Sequence, residues 1–311
     1  MSMFPAAQGR PARRVRGFLG LPGELRNRIY EDYFQANFCV ELMAKGTTLI
    51  KTQPSTVKIS LNLCHGPARA QQKPTQEEAQ IILRVSRTLG RHNRVEGIRT
   101  RWPTSLSALV LVCKLVHRET IVLLYRKSTF VFDAPRRIQS FITTVPIINL
   151  AHITRLQLHY TTYCNPQYTK DRIWQEKHLK SWTAACKRAS KYLVSVEALE
   201  VWLWSPYDVW FDLREPYVQP LLRFRRLACG DHCTLTSVKV HFNEGWVGFG
   251  RRFGPSGDLA RAAKELHGLW GEAISKAILG QSEKESMAEL KASWERHSLF
   301  HHHLSYMPTG W

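Results

Sequence analysis

The stretch LSALVLVCKLVHRETIVLLYRKSTFVF, residues 106–132, is the longest strongly apolar run in the chain. Lys114, His117 and Arg118 fall at i, i+3 and i+4 and share one helical face. Leu106, Leu109, Val110, Cys113 and Val116 line the opposite side at helical spacing. Thr104 and Ser105, after Pro103, are the N-cap candidates. The pattern predicts a helix over 106–125, broken near His117, and then a short strand over 128–132 rich in β-branched and aromatic residues. Charged residues recur within every membrane-length window, which excludes a span. At roughly 1.5–3 kcal/mol per buried large apolar side chain, this stretch is the expected main hydrophobic nucleus.

Upstream, FLGLPGELRNRIY (residues 18–30) is the expected packing partner. Pro22 suits a first helical turn, and Glu24 stands where the helix dipole favours an anion. Leu25, Ile29 and Tyr33 lie at i, i+4 and i+8, with Arg26, Asn27 and Glu31 pointing outward. The expectation is an amphipathic helix over 22–35. Leu25 and Ile29 would join Leu109, Cys113, Val116 and Leu124 in one contiguous core.

Read together, the two stretches resemble the fungal F-box-like proteins of uncharacterised function. In these, an LP-x-E-[IL]-R-x-x-I-[YW] helix precedes an L-x-x-[TV]-C-[RK]-x-[IV]-x-x-E-x-x-x-x-[LIF]-Y segment and an apolar strand. Leu21, Pro22, Glu24, Leu25, Arg26, Asn27, Arg28, Ile29 and Tyr30 fit the first motif. Leu111, Cys113, Lys114, Val116, Glu119, Leu124, Tyr125 and Phe130 fit the second. The resemblance implies docking on the Skp-type adaptor of a cullin–RING ubiquitin ligase. The partner-binding residues would be Leu21, Pro22, Leu25, Ile29, Leu111, Val112, Leu115 and Val116.

Composition bounds the remaining possibilities. A chain of 311 residues, 44% hydrophobic with ten Trp, supports a packed core in one large or two ordinary domains. Seven cysteines (Cys39, Cys64, Cys113, Cys164, Cys186, Cys229 and Cys233) are an odd set without repeating spacing. Reduced thiols in an intracellular protein, cytoplasmic or nuclear, are expected from them and from the polar, basic start of the chain. The net charge of +19 creates a field attractive to nucleic acid, acidic protein or anionic lipid. Arg84, Arg87, Arg91, Arg94, Arg99 and Arg101 form the candidate basic surface.

The expected architecture is mixed, α+β with α/β. A disordered basic tail covers 1–17. An F-box-like helical region over 18–132 contains an inserted small antiparallel β-sheet at about 37–64, from strands at 38–44, 47–51 and 56–63, and then a helix at 75–89. An α/β region over 133–280 follows, with a C-terminal helix and frayed tail over 281–311. In the α/β region, strands at 153–160, 199–204 and 235–242 alternate with helices at 135–145, 171–193, 216–227 and 259–279, which predicts parallel pairing. Ile153-x-x-Leu156-x-Leu158, Val196-x-x-Leu199-x-Val201 and Leu235-x-x-Val238-x-Val240 form an internal repeat. This reads as an irregular leucine-rich-repeat-like strand/helix region, with an ordinary α/β layer as the alternative.

Catalytic signals are thin. Gly245, Gly248, Gly250, Gly254 and Gly257 lack the GK[ST] of a phosphate loop. Cys229, His232 and Cys233 fall short of the four ligands of a closed zinc site, and three consecutive histidines at 301–303 are a weak metal signal. No nucleophile elbow, zincin helix or carboxylate pair is present. No cofactor and no metal are expected. The sequence therefore points to a non-enzymatic protein-interaction module, a substrate-recognition adaptor for a ubiquitin ligase. Its partners would be a Skp-type adaptor and an unknown target protein. The alternative is a basic nucleic-acid- or chromatin-associated module.

Overall fold

Three short segments with the same apolar spacing line up in the fold. The computed structural model describes residues 17–34, 39–43, 82–86, 109–162, 169–205, 211–229, 233–244 and 257–301, the strands at 39–43 and 82–86 as backbone. Its sheet has six strands: β1 (Cys39–Met43), β2 (Ile82–Ser86), β3 (Thr129–Phe132), β4 (Arg155–Thr161), β5 (Ala198–Ser205) and β6 (Ser237–Glu244). Their order is β2-β1-β3-β4-β5-β6, and every pairing is parallel. Phe130, Leu156, Leu199 and Val238 are aligned across β3 to β6, and Phe132, Leu158, Val201 and Val240 form the next row. Both rows are buried. The repeat seen in sequence is thus one layer of a parallel sheet.

Repetition extends to the backbone at the strand entries. The amides of Glu197 and Ala198 both donate to the Thr154 carbonyl, and those of Thr236 and Ser237 both donate to the Glu197 carbonyl. The preceding apolar anchors, Ile153, Val196 and Leu235, are all buried.

Helices connect the strands. They are α1 (Gly23–Tyr33), α2 (Lys114–Lys127), α3 (Pro135–Thr144), the single turn α4 (Ile147–Leu150), α5 (Thr169–Tyr192), α6 (Arg225–Cys229), α7 (Asp258–Ile278), the single turn α8 (Glu283–Ser286) and α9 (Ala288–Arg296). From β3 to β6 the chain always steps the same way along the sheet, so right-handed crossovers put the connecting helices on one face. That face is the apolar one. Trp182 of α5 stacks on Tyr160 of β4 with ring centroids 4.5 Å apart, and its indole N–H donates to the Tyr217 carbonyl at 3.0 Å. Helix α7 closes the row against β6. At Gly271 it comes so near that a Cβ would overlap the Val240 carbonyl oxygen. It ends in a Schellman motif: Gln281 N–H bonds to Lys276 O, Gly280 N–H bonds to Ala277 O, and Gly280 takes φ 103°.

The other face of β4–β6 carries Gln157, His159, Glu200, Trp202, Lys239 and His241. These side chains are exposed or half-buried.

Four expectations are corrected. Residues 82–86 lie in strand β2, not in a helix over 75–89; the apolar run Ile81–Leu83 with Val85 is a buried parallel strand, and Thr75 with Glu78 misled as a cap. Residues 39–43 form no small antiparallel sheet: β1 and β2 are parallel neighbours inside the main sheet. Parallel pairing needs a long crossover, not the hairpins that Gly46 and Pro54 suggested. The strands expected at 47–51 and 56–63 lie outside the described residues. In the 106–132 stretch the break falls at 111–113, not at His117. Cys113 takes an extended conformation as N-cap of α2, and the helix runs on through His117. Finally, 216–227 is turn and 3₁₀ helix before α6.

Candidate partner-binding site

Helices α1 and α2 meet through one polar latch. The Arg26 guanidinium holds the Glu119 carboxylate with two parallel bonds, Nη2 to Oε1 at 2.6 Å and Nε to Oε2 at 3.1 Å. The Tyr30 hydroxyl donates to the same Oε2 at 2.8 Å. Arg26 also donates to the Leu21 carbonyl, fixing the turn ahead of α1. Arg26 belongs to the first motif and Glu119 to the second, so the two stretches form one unit in space. The hydrogen bonds from Arg26 and then Tyr30 hold the Glu119 carboxyl below its usual range. Burial, followed by the bond to Glu119, pushes the Tyr30 phenol up to about 12.

Beside the latch lies a small apolar core of Tyr30, Phe34, Val110 and Val116, with Leu109, Cys113 and Leu124 packed against it. Phe18 sets its ring edge against Tyr30, centroids 5.6 Å apart. The His117 ring bonds to the Val110 carbonyl at 3.1 Å and ties the helical turn ahead of α2 to that helix.

The inward face of α1 is therefore Arg26, Tyr30 and Phe34, not Leu25, Ile29 and Tyr33. The apolar stripe expected to be core points to solvent: Leu25 is 49% exposed and Ile29 45%. On the facing segment Leu111 is 57%, Val112 65% and Leu115 44% exposed. Pro22 is exposed and Leu21 half-buried. Val116, expected in the partner surface, is 1% exposed and belongs to the interior. Sequence reasoning missed the latch because a lone Arg on an amphipathic helix reads as solvated. The signal available was its place in the i, i+4 row with Tyr30.

Among the other candidates, Arg84 lies in β2 opposite Glu41 in register. Arg87, Arg91, Arg94, Arg99 and Arg101 lie outside the described residues, as do His232, Gly245, Gly248, Gly250 and Gly254. Gly257 is the N-cap of α7. Cys229 and Cys233 are exposed free thiols, and no group of three metal-ligating side chains occurs among the described residues. His301 is not frayed: its ring bonds to the Trp294 carbonyl at 2.7 Å and stacks on the Trp294 indole.

A second polar cluster lies on the half-exposed face of the sheet. His159, Trp202 and His241 are register partners on β4, β5 and β6 and stack on one another at 8° and 21° between planes. Glu200 accepts from the Trp202 indole at 2.8 Å and stands 3.4 Å from His241 Nε2. Burial pushes the Glu200 carboxyl up, and His241 with Trp202 outweighs it, leaving it below its usual range.

A family model described as "Domain of unknown function (DUF7730)" matches residues 15–225. The chain belongs to this family. The DUF7730 match takes in the latch, both motifs and strands β1 to β5. It stops before β6 and α7, which complete the same sheet and core. No curated protein and no solved structure matches the chain. No described helix is long and apolar enough to cross a membrane.

Proposed function

We propose that the chain is a non-enzymatic protein-interaction module, intracellular, that docks a Skp-type adaptor of a cullin–RING ubiquitin ligase through α1 and the 111–115 segment, and presents a target on its sheet region. One observation carries this reading. Leu25, Ile29, Leu111, Val112 and Leu115 face solvent on the two elements joined by the Arg26–Glu119 latch. Large apolar side chains clustered outside the core gain roughly 25 cal/mol for each Å² buried on docking. The latch holds the two elements in fixed relation, so little ordering is needed on binding. The F-box-like motif residues support the choice of adaptor.

The test is calorimetry of the purified chain against a Skp-type adaptor at about 0.15 M and 0.5 M salt, where screening separates the two kinds of contact. An apolar interface gives a negative heat-capacity change and persists at the higher salt. Absence of heat at both salts with folded protein sinks the adaptor reading. Binding to nucleic acid that collapses with salt then favours the basic-surface alternative.

A further inference from the structure

A cavity of about 900 Å³ opens between β6 and the face of α7 that carries Lys264, Gly268 and Glu272. Trp202 and His241 reach it from the half-exposed side of the sheet, and Phe242 adds a second apolar wall. Three lysines line it: Lys239 from the strand, and Lys264 and Lys276 from the helix. Lys276 is held by Glu289 at 2.7 Å, while Lys239 and Lys264 are exposed. Glu272 is the one carboxylate in the lining. His267, also in the lining, adds no charge near neutral pH, because burial lowers its pKa to about 4. The groove is therefore cationic, with an aromatic border.

Its geometry narrows the occupant. At Gly271 the helix sits on the Val240 carbonyl, so α7 covers the edge of β6 and strand addition is blocked there. Recognition must use side chains. A single-stranded nucleic acid needs open ring faces for its bases. Here His159, Trp202 and His241 spend their faces on each other. Protein carboxylates meet the lysines without that requirement.

We propose that this groove binds an acidic, extended segment of a target protein, with its carboxylates on Lys239 and Lys264 and an apolar side chain against Trp202 and Phe242. The proposal deepens the target-presenting half of the interaction reading and does not need adaptor docking.

The test is fluorescence anisotropy with a fluorescein-labelled peptide of alternating Glu and Leu, its Gln-for-Glu counterpart and a labelled oligothymidine, at about 0.15 M salt. The Glu peptide should bind about tenfold tighter than the Gln peptide, a difference of about 1.4 kcal/mol. The double variant Lys239→Glu/Lys264→Glu should abolish that preference. Lys187→Glu on the exposed side of α5 should leave it intact. If the charge reversals lower the melting temperature, Lys239→Gln/Lys264→Gln replaces them and should still reduce binding several-fold. Equal affinity for the Glu and Gln peptides, no binding of either, or indifference to the lysine variants overturns the proposal. Oligothymidine binding that exceeds peptide binding and falls with the same variants also overturns it, in favour of nucleic acid. Adaptor calorimetry on the lysine variants keeps the two readings apart, because the adaptor heat should be unchanged.

Discussion

Arg26 and Glu119 are 93 residues apart in sequence and share two hydrogen bonds. Removing either partner strands the other beside an apolar core, so Arg26→Met and Glu119→Gln should each lower the melting temperature. The double variant should lose clearly less than the sum, a coupling that a double-mutant cycle measures. The pH dependence has a definite sign. Glu119 titrates lower in the fold than its ordinary 4.5, so its contribution is present above that value and is lost as pH falls through the folded pKa. Glu119→Gln should flatten that acid limb. Glu215 works in the opposite direction. Burial, then the nearby Asp212 charge, pushes its carboxyl up to about 7. Stability should therefore fall as pH rises from about 4.5 to about 7, and Glu215→Gln should remove that slope in urea titrations. Two glycines of α7 give a paired test. Gly271→Ala drives a Cβ into the Val240 carbonyl and should destabilise by several kcal/mol. Gly268→Ala meets nothing within 4 Å and should stabilise by up to about 1 kcal/mol.

Among the elements, strands β3 to β6 were legible because buried parallel strands carry continuous β-branched and aromatic runs, and the repeat placed Leu156, Leu199 and Val238 in one row. Helices α5 and α7 were legible from long apolar periodicity. The orientation of α1 was not. Leu25, Ile29 and Tyr33 have the better apolar stripe, yet the bidentate pairing of Arg26 with Glu119 turns Tyr30 and Phe34 inward. That contact is long-range, and no local pattern announces it. Strand β2 was missed because the neighbours it packs between are equally distant in sequence. The exposed and buried faces make an element-level prediction. Tyr30→Ala should cost about 3–5 kcal/mol, as for other large aromatic truncations in a core. Leu25→Ala should change stability by less than about 0.5 kcal/mol. Chemical denaturation of both variants decides the orientation of α1.

In the whole molecule, β6 and α7 lie past residue 225, where the family model ends, yet they belong to the same core. A chain cut at 225 would uncover Leu199, Val201 and Leu203 on β5 and remove Trp270 and Ile274 from that core. It should fail to fold cooperatively, read as loss of a sharp thermal transition. The complete sheet presents one polar, half-exposed face, and the latched helices present an apolar surface. This arrangement of two displayed surfaces is what the interaction reading rests on. Its central claim is that the outward leucines of α1 and the 111–115 segment dock an adaptor and hold nothing inside the fold. The most direct measurement is calorimetric titration of a Skp-type adaptor into the wild type and into Leu25→Asp/Leu115→Asp, with melting curves of both. The account predicts that the variant melts within a few degrees of the wild type and gives no binding heat. A variant that binds as the wild type does, or one that unfolds because those leucines are core, would contradict it.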